Sequence, residues 1–325
     1  MRKKAGKLVL YIFLVIIVLT IFILYGPISY FRNTLITTAM TTKSHSFIAT
    51  FLYSDKTIKK VMKENRVIES KGKNIPKEKE SYDKYDKEIL DRKENDLYKV
   101  ISIKEKTYSG YLVIIYNPKR VKLATSKYLG KKGEYITTVS KDNKAKVMIN
   151  AGGFYDPDWN SNGAIPHGIV IKDGKIVSEF SKADIGGGLV GFDENDNLIL
   201  GNYTKEEIKK LKIRDAVEFG PFLIRNGEKS SIKGNGGWGI APRTVIGQRK
   251  DKIVLFLIID GRSTKSLGAD MNDLINIMSR YKAYNAANLD GGSSTELVIK
   301  NKIINTPVAG DKNGLRKLPT FWMVK

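Results

Sequence analysis

The feature that most constrains this chain is an unbroken apolar run from Leu8 to Tyr25, interrupted only by Thr20. A helix of about 20 such residues is long enough to cross a bilayer. Arg2, Lys3, Lys4 and Lys7 precede the run, a charge placement that predicts a cytoplasmic N-terminus and export of the remaining chain. The run continues into Gly26-Pro27-Ile28-Ser29-Tyr30-Phe31, without the small-residue pattern of a cleavage site. The expectation is therefore an uncleaved signal anchor. It makes a single-pass protein of the cell membrane whose C-terminal part is extracellular.

No other stretch is long and apolar enough to span. Cysteine is absent, which excludes disulfides, thiolate metal sites and a cysteine nucleophile. The exported part must be held by an ordinary core.

Composition divides the chain. Residues 1–30 are the basic tip and anchor. Residues 31–68 show loose helical periodicity, with Leu35, Ala39, Phe47, Phe51 and Leu52 on one face and Ser54 as an N-cap for a second segment. Residues 69–97 are a near-balanced mixture of acids and bases with few large apolar side chains. Such a segment has too little to bury, so a linker or solvated stalk is expected. Residues 98–325 form the globular domain, with a motif-bearing core at 146–325.

The formal net charge is +22, and +14 of it falls on residues 98–325. A surplus of this size steers anions toward the domain. Anionic glycans, phosphate-bearing wall polymers and lipid headgroups suit an extracellular setting. No basic helix or interleaved aromatic stripe points to nucleic acid. A Lys-, Asn- and Ile-rich composition inherited from an AT-rich genome would give the same surplus without any partner.

Beyond residue 97, strand patterns dominate. Tyr98–Ile103 alternates, 111–116 is a continuous apolar run, and similar runs recur to the C-terminus. Asp173-Gly174 and Asn226-Gly227 stand where hairpin turns belong. Helical periodicity is confined to 205–211 and 270–281, the latter with Leu274, Ile277, Met278 and Tyr281 on one face. The fold class is α+β: a mixed, largely antiparallel sheet domain with few helices, preceded by one transmembrane helix.

Five of these strands end beside glycines in polar residues able to carry chemistry. They are Ile149-Asn150-Ala151-Gly152-Gly153-Phe154, Val217-Glu218-Phe219-Gly220-Pro221, the Gly236–Gly247 approach to Arg243, Ile259-Asp260-Gly261-Arg262, and Asn288-Leu289-Asp290-Gly291-Gly292-Ser293-Ser294. Any one of them is an ordinary turn. Together they offer Glu218, Asp260 and Asp290 as carboxylates, Arg243 as a cation and Asn150 as an amide.

The ordered series NAGGF, EFGP, APRTVIG, IIDGR and NLDGGSS resembles the phosphodiester glycosidase family, over roughly residues 146–325. The resemblance implies a hydrolase acting on a sugar joined through its anomeric carbon to a phosphodiester. The residues suit that chemistry. Arg243 can hold the phosphate by paired charge-assisted bonds, with Arg262 and Arg316 as further candidates. The amides of Gly291, Gly292 and Ser293 can form an anion nest, and Ser294, Gly152 and Gly153 belong to the same substrate-binding set. Cleavage passes through an oxocarbenium-like state flanked by carboxylates. Asp290 is the first candidate for nucleophile or base, Asp260 the second and Glu218 a third. Asn150 would orient a sugar hydroxyl or acetamido group.

Each residue also has a structural reading: Arg243 as the ion-pair partner of Glu218, Asp260 and Asp290 as turn caps. A Ser293–His167–Asp triad is disfavoured because the G-x-S-x-G elbow is missing. Nothing in the sequence requires a cofactor. Asp156 and Asp158 are oxygen ligands available to a divalent cation, and Trp159 or Trp238 can stack on a sugar. The alternative function is a non-catalytic surface module that binds phosphate-bearing polysaccharide. A third is an assembly factor for exopolysaccharide or wall export that depends on residues 31–97.

Overall fold

The computed structural model describes residues 2–42, 45–73, 81–93, 96–156, 161–180, 187–312 and 314–325. Asp158 and Trp159 lie outside the described residues. The chain divides into two compact units, Met1–Arg66 with Lys233–Gly239, and Val67–Ile232 with Ile240–Lys325.

The first unit is helical. Its opening helix, Arg2–Tyr25, contains the stretch Lys7–Tyr25, long and apolar enough to cross a membrane, with a mean hydropathy of 3.1 and no residue of its apolar window buried in the protein. Helices Ser29–Met40, Ser46–Leu52 and Asp55–Glu64 come next. They close on a small core of Ile36, Ala39, Ala49, Tyr53, Ile58 and Val61. Ser54 caps the last helix as its sequence suggests, accepting from the Thr57 amide.

The loop 233–239 packs on these helices. The Asn235 amide donates to Asn65 Oδ1 at 2.8 Å, and the Thr41 hydroxyl donates to the Trp238 carbonyl at 3.1 Å. A Cβ on Gly237 would stand 2.1 Å from the Asn65 carbonyl oxygen. This part of the glycine-rich approach to Arg243 is thus built to pack on helix, and Trp238 belongs to it.

The second unit holds three large sheets, and every pairing within them is antiparallel. The largest has seven strands in the order Glu228–Lys229, Phe222–Arg225, Ala283–Asn288, Arg243–Arg249, Val254–Ile259, Ser109–Ile115, Tyr98–Lys104. Helix Met271–Arg280, opened by an Asp270/Asp273 capping box, buries Leu274, Ile277 and Met278. A five-stranded sheet runs Lys302–Ile303, Leu297–Ile299, Val147–Asn150, Thr320–Val324, Val121–Thr125. The other five-stranded sheet runs Leu198–Gly201, Gly188–Asp193, Ile213–Phe219, Gly168–Lys172, Lys175–Phe180. The Asp173-Gly174 and Asn226-Gly227 hairpins form as expected, all four residues at positive φ.

The segment 69–97, expected as a solvated stalk, carries a helix, Lys84–Leu90, that packs into the second unit. Ile89 is fully buried, and Asp86 pairs with both Arg249 and Lys282. The Tyr116 hydroxyl donates to the Ile89 carbonyl at 2.7 Å and the Tyr281 hydroxyl donates to Glu88 at 3.0 Å, so the docking draws on several residues. Average composition hides such a pairing.

Candidate active site

The three sheets meet where their strand ends converge. The chain leaves the seven-stranded sheet at Asn288 and enters the first five-stranded sheet at Leu297, so the turn 289–296 bridges the two. The Asp290 amide donates to the Ala151 carbonyl at 3.1 Å, tying this turn to the end of the Val147–Asn150 strand. Gly152 and Gly153, next along, press against the Ile213–Phe219 strand of the third sheet. A Cβ on Gly152 would meet the Val217 Cβ at 3.0 Å, and one on Gly153 would meet the Phe219 ring at 2.8 Å. Both glycines are buried. They let sheets approach; they offer no open surface for a ligand.

Asn150 is a strut. Its Nδ2 donates to the Asp290 carbonyl at 2.6 Å, while its Oδ1 accepts from the Thr244 hydroxyl at 2.7 Å and the Glu296 amide at 3.2 Å. With 1 % of its surface exposed, its amide fixes the turn. Contact with a sugar is outside its reach.

Asp290 occupies the half-buried rim of the turn. Burial pushes its carboxyl up to about 6, opposed by the Ser294 hydroxyl, the Arg316 charge and the Gly291 amide, with Asp156 adding to the rise. A carboxylate poised there changes charge close to neutrality, the range suited to general-base or nucleophilic work.

Three arginines approach this turn. Arg316 Nη1 donates to the Ser293 hydroxyl at 3.2 Å, and Arg316 Nη2 pairs with Asp156. Its guanidinium also lies over the Phe154 ring, 4.6 Å from the centroid. Arg262 lies against Gly292: at φ 59° a Cβ there would stand 3.0 Å from Arg262 Nη2, so glycine meets both the backbone and the space requirement. Arg243 opens its strand beside Gly291 and donates from Nε to the Ala269 carbonyl at 3.0 Å. Burial and the neighbouring Arg262 charge pull its pKa down to about 10, with Asp270 opposing. Two guanidinium groups close enough to disturb each other make a place where an anion is stabilised.

The expected amide nest is not there in that form. The Gly291 amide is spent on Asp290 Oδ1 at 3.0 Å and the Gly292 amide on the Pro242 carbonyl at 2.9 Å. The guanidinium groups of Arg262 and Arg316 stand beside the turn instead. Ser294, buried, serves Asp290 rather than the surface.

Asp260 is held differently. Its Oδ1 accepts the Thr306 amide at 2.8 Å and Asn305 Nδ2 at 3.3 Å. Asn305 in turn accepts the Leu297 amide and donates to the Thr295 carbonyl. Asp260 therefore anchors the 305–306 segment. Glu218 stands over Gly168, whose added Cβ would fall 2.1 Å from its Oε2. Burial pushes the Glu218 carboxyl up, Glu179 adds to this and the Ile169 amide opposes it. His167 meets Tyr155 edge-on and Phe180 at a tilt, at 6.4 and 6.3 Å between ring centroids. The Ser293 hydroxyl meets Arg316, which gives no support to a serine triad.

Asp156, weighed as a cation ligand, is buried against Arg316 and accepts the Ser161 amide. Among the described residues no group of three or more His, Asp or Glu could hold a metal ion.

Glu296 is a candidate-site residue that the sequence motifs do not single out. Fully buried, it accepts the Arg316 amide through Oε1 at 2.8 Å, while Oε2 has no hydrogen-bond partner among the described residues. Burial, with Asp311 and Asp290 nearby, pushes it up to about 8 despite the Arg316 amide and charge. It was visible only as one acid at the start of an apolar run.

Residues 143–325 match the profile of a family described as phosphodiester glycosidase. A catalytic domain from zebrafish, N-acetylglucosamine-1-phosphodiester alpha-N-acetylglucosaminidase auto-inhibited by its pro-peptide, has a similar fold. It is 20% identical with a TM-score of 0.58, over 72% of this chain and 85% of that one. A hypothetical protein from Synechocystis is more distant, 14% identical with a TM-score of 0.49, over 70% of this chain and 62% of that one. An SPbeta prophage-derived uncharacterized protein of Bacillus subtilis (strain 168) is 30% identical over 190 residues, 56% of this chain. The chain spans only 28% of that relative's length.

Proposed function

The chain belongs to the phosphodiester glycosidase family, and we propose that it hydrolyses sugar-1-phosphodiester linkages of extracellular or cell-wall glycans, held at the membrane by the helix Lys7–Tyr25. One observation carries the reading: Asp290, raised to about 6, lies on a turn that Arg243, Arg262 and Arg316 approach from other parts of the chain. A carboxylate with guanidinium groups gathered round its turn suits a substrate whose reacting carbon lies beside a phosphate.

In the proposed reaction the arginines bind the phosphodiester anion. Water, or Asp290 itself in a two-step route, attacks the anomeric carbon. The carbon–oxygen bond to phosphate breaks, and its electrons leave on the phosphate oxygen. A phosphomonoester has a second pKa of about 6, so it departs with little protonation and the arginine charges do much of a general acid's work. Asp290 takes the proton of the attacking water when it acts as base. Glu296 and Asn150 fix Arg316 and the turn.

The test uses the full-length chain in detergent, because the loop 233–239 packs on the helices of residues 29–64. UDP-N-acetylglucosamine and a panel of other sugar-1-phosphodiesters are supplied, with and without chelator, and free sugar is measured. The expected result is sugar release. No release from any panel member, with retained binding to phosphate-bearing wall polymer, would transfer the function to the binding module.

A further inference from the structure

We propose that Phe47 and Phe51, with Ile28, Tyr30 and Phe31, form an aromatic collar that lies in the headgroup region of the bilayer crossed by the Lys7–Tyr25 helix. The proposal rests on that helix being an anchor. It starts from an anomaly in the small bundle. Helix Ser46–Leu52 buries Ala49 completely, yet Phe51 is 87% exposed and Phe47 64%. Four residues apart, these two rings share one stripe of the helix. A surface stripe of phenylalanine is costly to leave in water and marks a contact.

Two hydrogen bonds place that stripe. The Tyr25 hydroxyl donates to the Leu52 carbonyl at 2.9 Å, and the Tyr53 hydroxyl donates to the Leu24 carbonyl at 3.0 Å. The two tyrosine rings lie 5.6 Å apart. Leu52 is therefore pinned to the C-terminal end of the apolar helix, and Phe51 is its neighbour in the chain. On the other side of that point the chain turns through Gly26 and exposes Ile28, Tyr30 and Phe31. The Tyr30 and Phe31 rings meet edge to face at 5.7 Å. All five apolar side chains thus belong to the segments that meet the helix at its end.

Lipid fits this surface best for two reasons. The stripe adjoins the end of the apolar helix, to which Leu52 and Tyr53 are bonded, and no residue of the apolar window of that helix is buried in the protein. The collar's Phe and Ile side chains are of the kind that an interfacial helix buries at the boundary of headgroups and acyl chains, and Tyr30 is of the type enriched at that interface. The polar helix Asp55–Glu64 in the same unit instead exposes Lys56, Lys59, Lys60 and Lys63, a face suited to water.

Because the chain has no cysteine, single substitutions Phe47→Cys, Phe51→Cys and Lys60→Cys can be spin-labelled without a background. The full-length variants are reconstituted in nanodiscs of phosphatidylcholine and phosphatidylglycerol. Collision rates with oxygen and with a water-soluble nickel chelate are then compared. Labels at 47 and 51 are expected to favour oxygen several-fold, and the label at 60 the nickel chelate. Equal nickel access at all three positions overturns the collar, and so does shielding of 47 and 51 from both reagents, which indicates a protein occupant. The unlabelled wild-type chain, cross-linked to a photoactivatable phosphatidylcholine, should carry adducts within residues 28–31 and 46–52; their absence counts equally against it. Chain that leaves the discs overturns the anchor, and the collar with it. Chain that stays while position 51 reads as water-exposed overturns the collar alone.

Discussion

Two aspartates in this molecule look alike in sequence and live in different chemical worlds. Asp260 and Asp290 each end an apolar strand, each is followed by glycine, and their strands flank Arg243–Arg249 on either side. Asp260 spends Oδ1 on Thr306 and Asn305 and so holds a loop. Asp290 is met by a serine hydroxyl and the Arg316 charge, and burial lifts it to about 6. An Asp-Gly strand end thus says that a carboxylate is placed. What it does is decided by donors supplied from elsewhere in the chain.

The largest effect expected from breaking this contrast is on turnover. Asp290→Asn should lower kcat/KM by about 10²–10⁴-fold, the range for losing a positioned general base, with a melting temperature close to wild type. Next comes the anion side. Arg243→Ala should cost about 10²–10³-fold, as for loss of a charge-stabilising donor. Its loss should fall mainly on kcat, measured by sugar release against substrate concentration.

The Asp260→Asn variant sharpens the contrast from the other side. Its weakened bond to the Thr306 amide should cost about 1–3 kcal/mol of stability, read from urea unfolding, with kcat changed by less than an order of magnitude.

Smaller again is a pH effect. Folding raises the Asp290 and Glu296 carboxyls, so the native state holds these protons more tightly than the unfolded chain does. That stability is complete below the ordinary carboxylate range near 4. It is lost as pH rises through about 6 for Asp290 and about 8 for Glu296. Melting temperature should therefore fall from about pH 4 to about pH 8, and Glu296→Gln should flatten the decline, most clearly above about pH 6 where Asp290 is already ionised. Activity should run the opposite way at its acid limb, rising with pH to a plateau above about 6 as Asp290 ionises.

Much of this was legible in the residues. Strands such as Val254–Ile259 are all apolar and fully buried, so their pattern has one reading. Helix Met271–Arg280 declares itself by its stripe and its cap. Helix Ile136–Asp142 does not: its β-branched residues read against a helix, and it forms because Ile136 and Val139 bury into the core beside Met148 and Phe321. The Asp290 turn was legible as a place where chemistry is possible. The pairing of Arg316 with Asp156, two residues 160 positions apart, was not, because no local pattern couples them. The same holds for the Gly292 amide, whose partner is the carbonyl of Pro242. A motif names the donors, while the fold decides which of them are already spent.

The most direct test places the two aspartates side by side. Full-length Asp290→Asn and Asp260→Asn are assayed for sugar release on whichever sugar-1-phosphodiester the wild type cleaves best, with unfolding measured on the same preparations. The account predicts that Asp290→Asn is folded and nearly inactive, while Asp260→Asn is less stable and active. An active Asp290→Asn beside a folded but inactive Asp260→Asn would contradict it and move the reaction centre to the neighbouring strand.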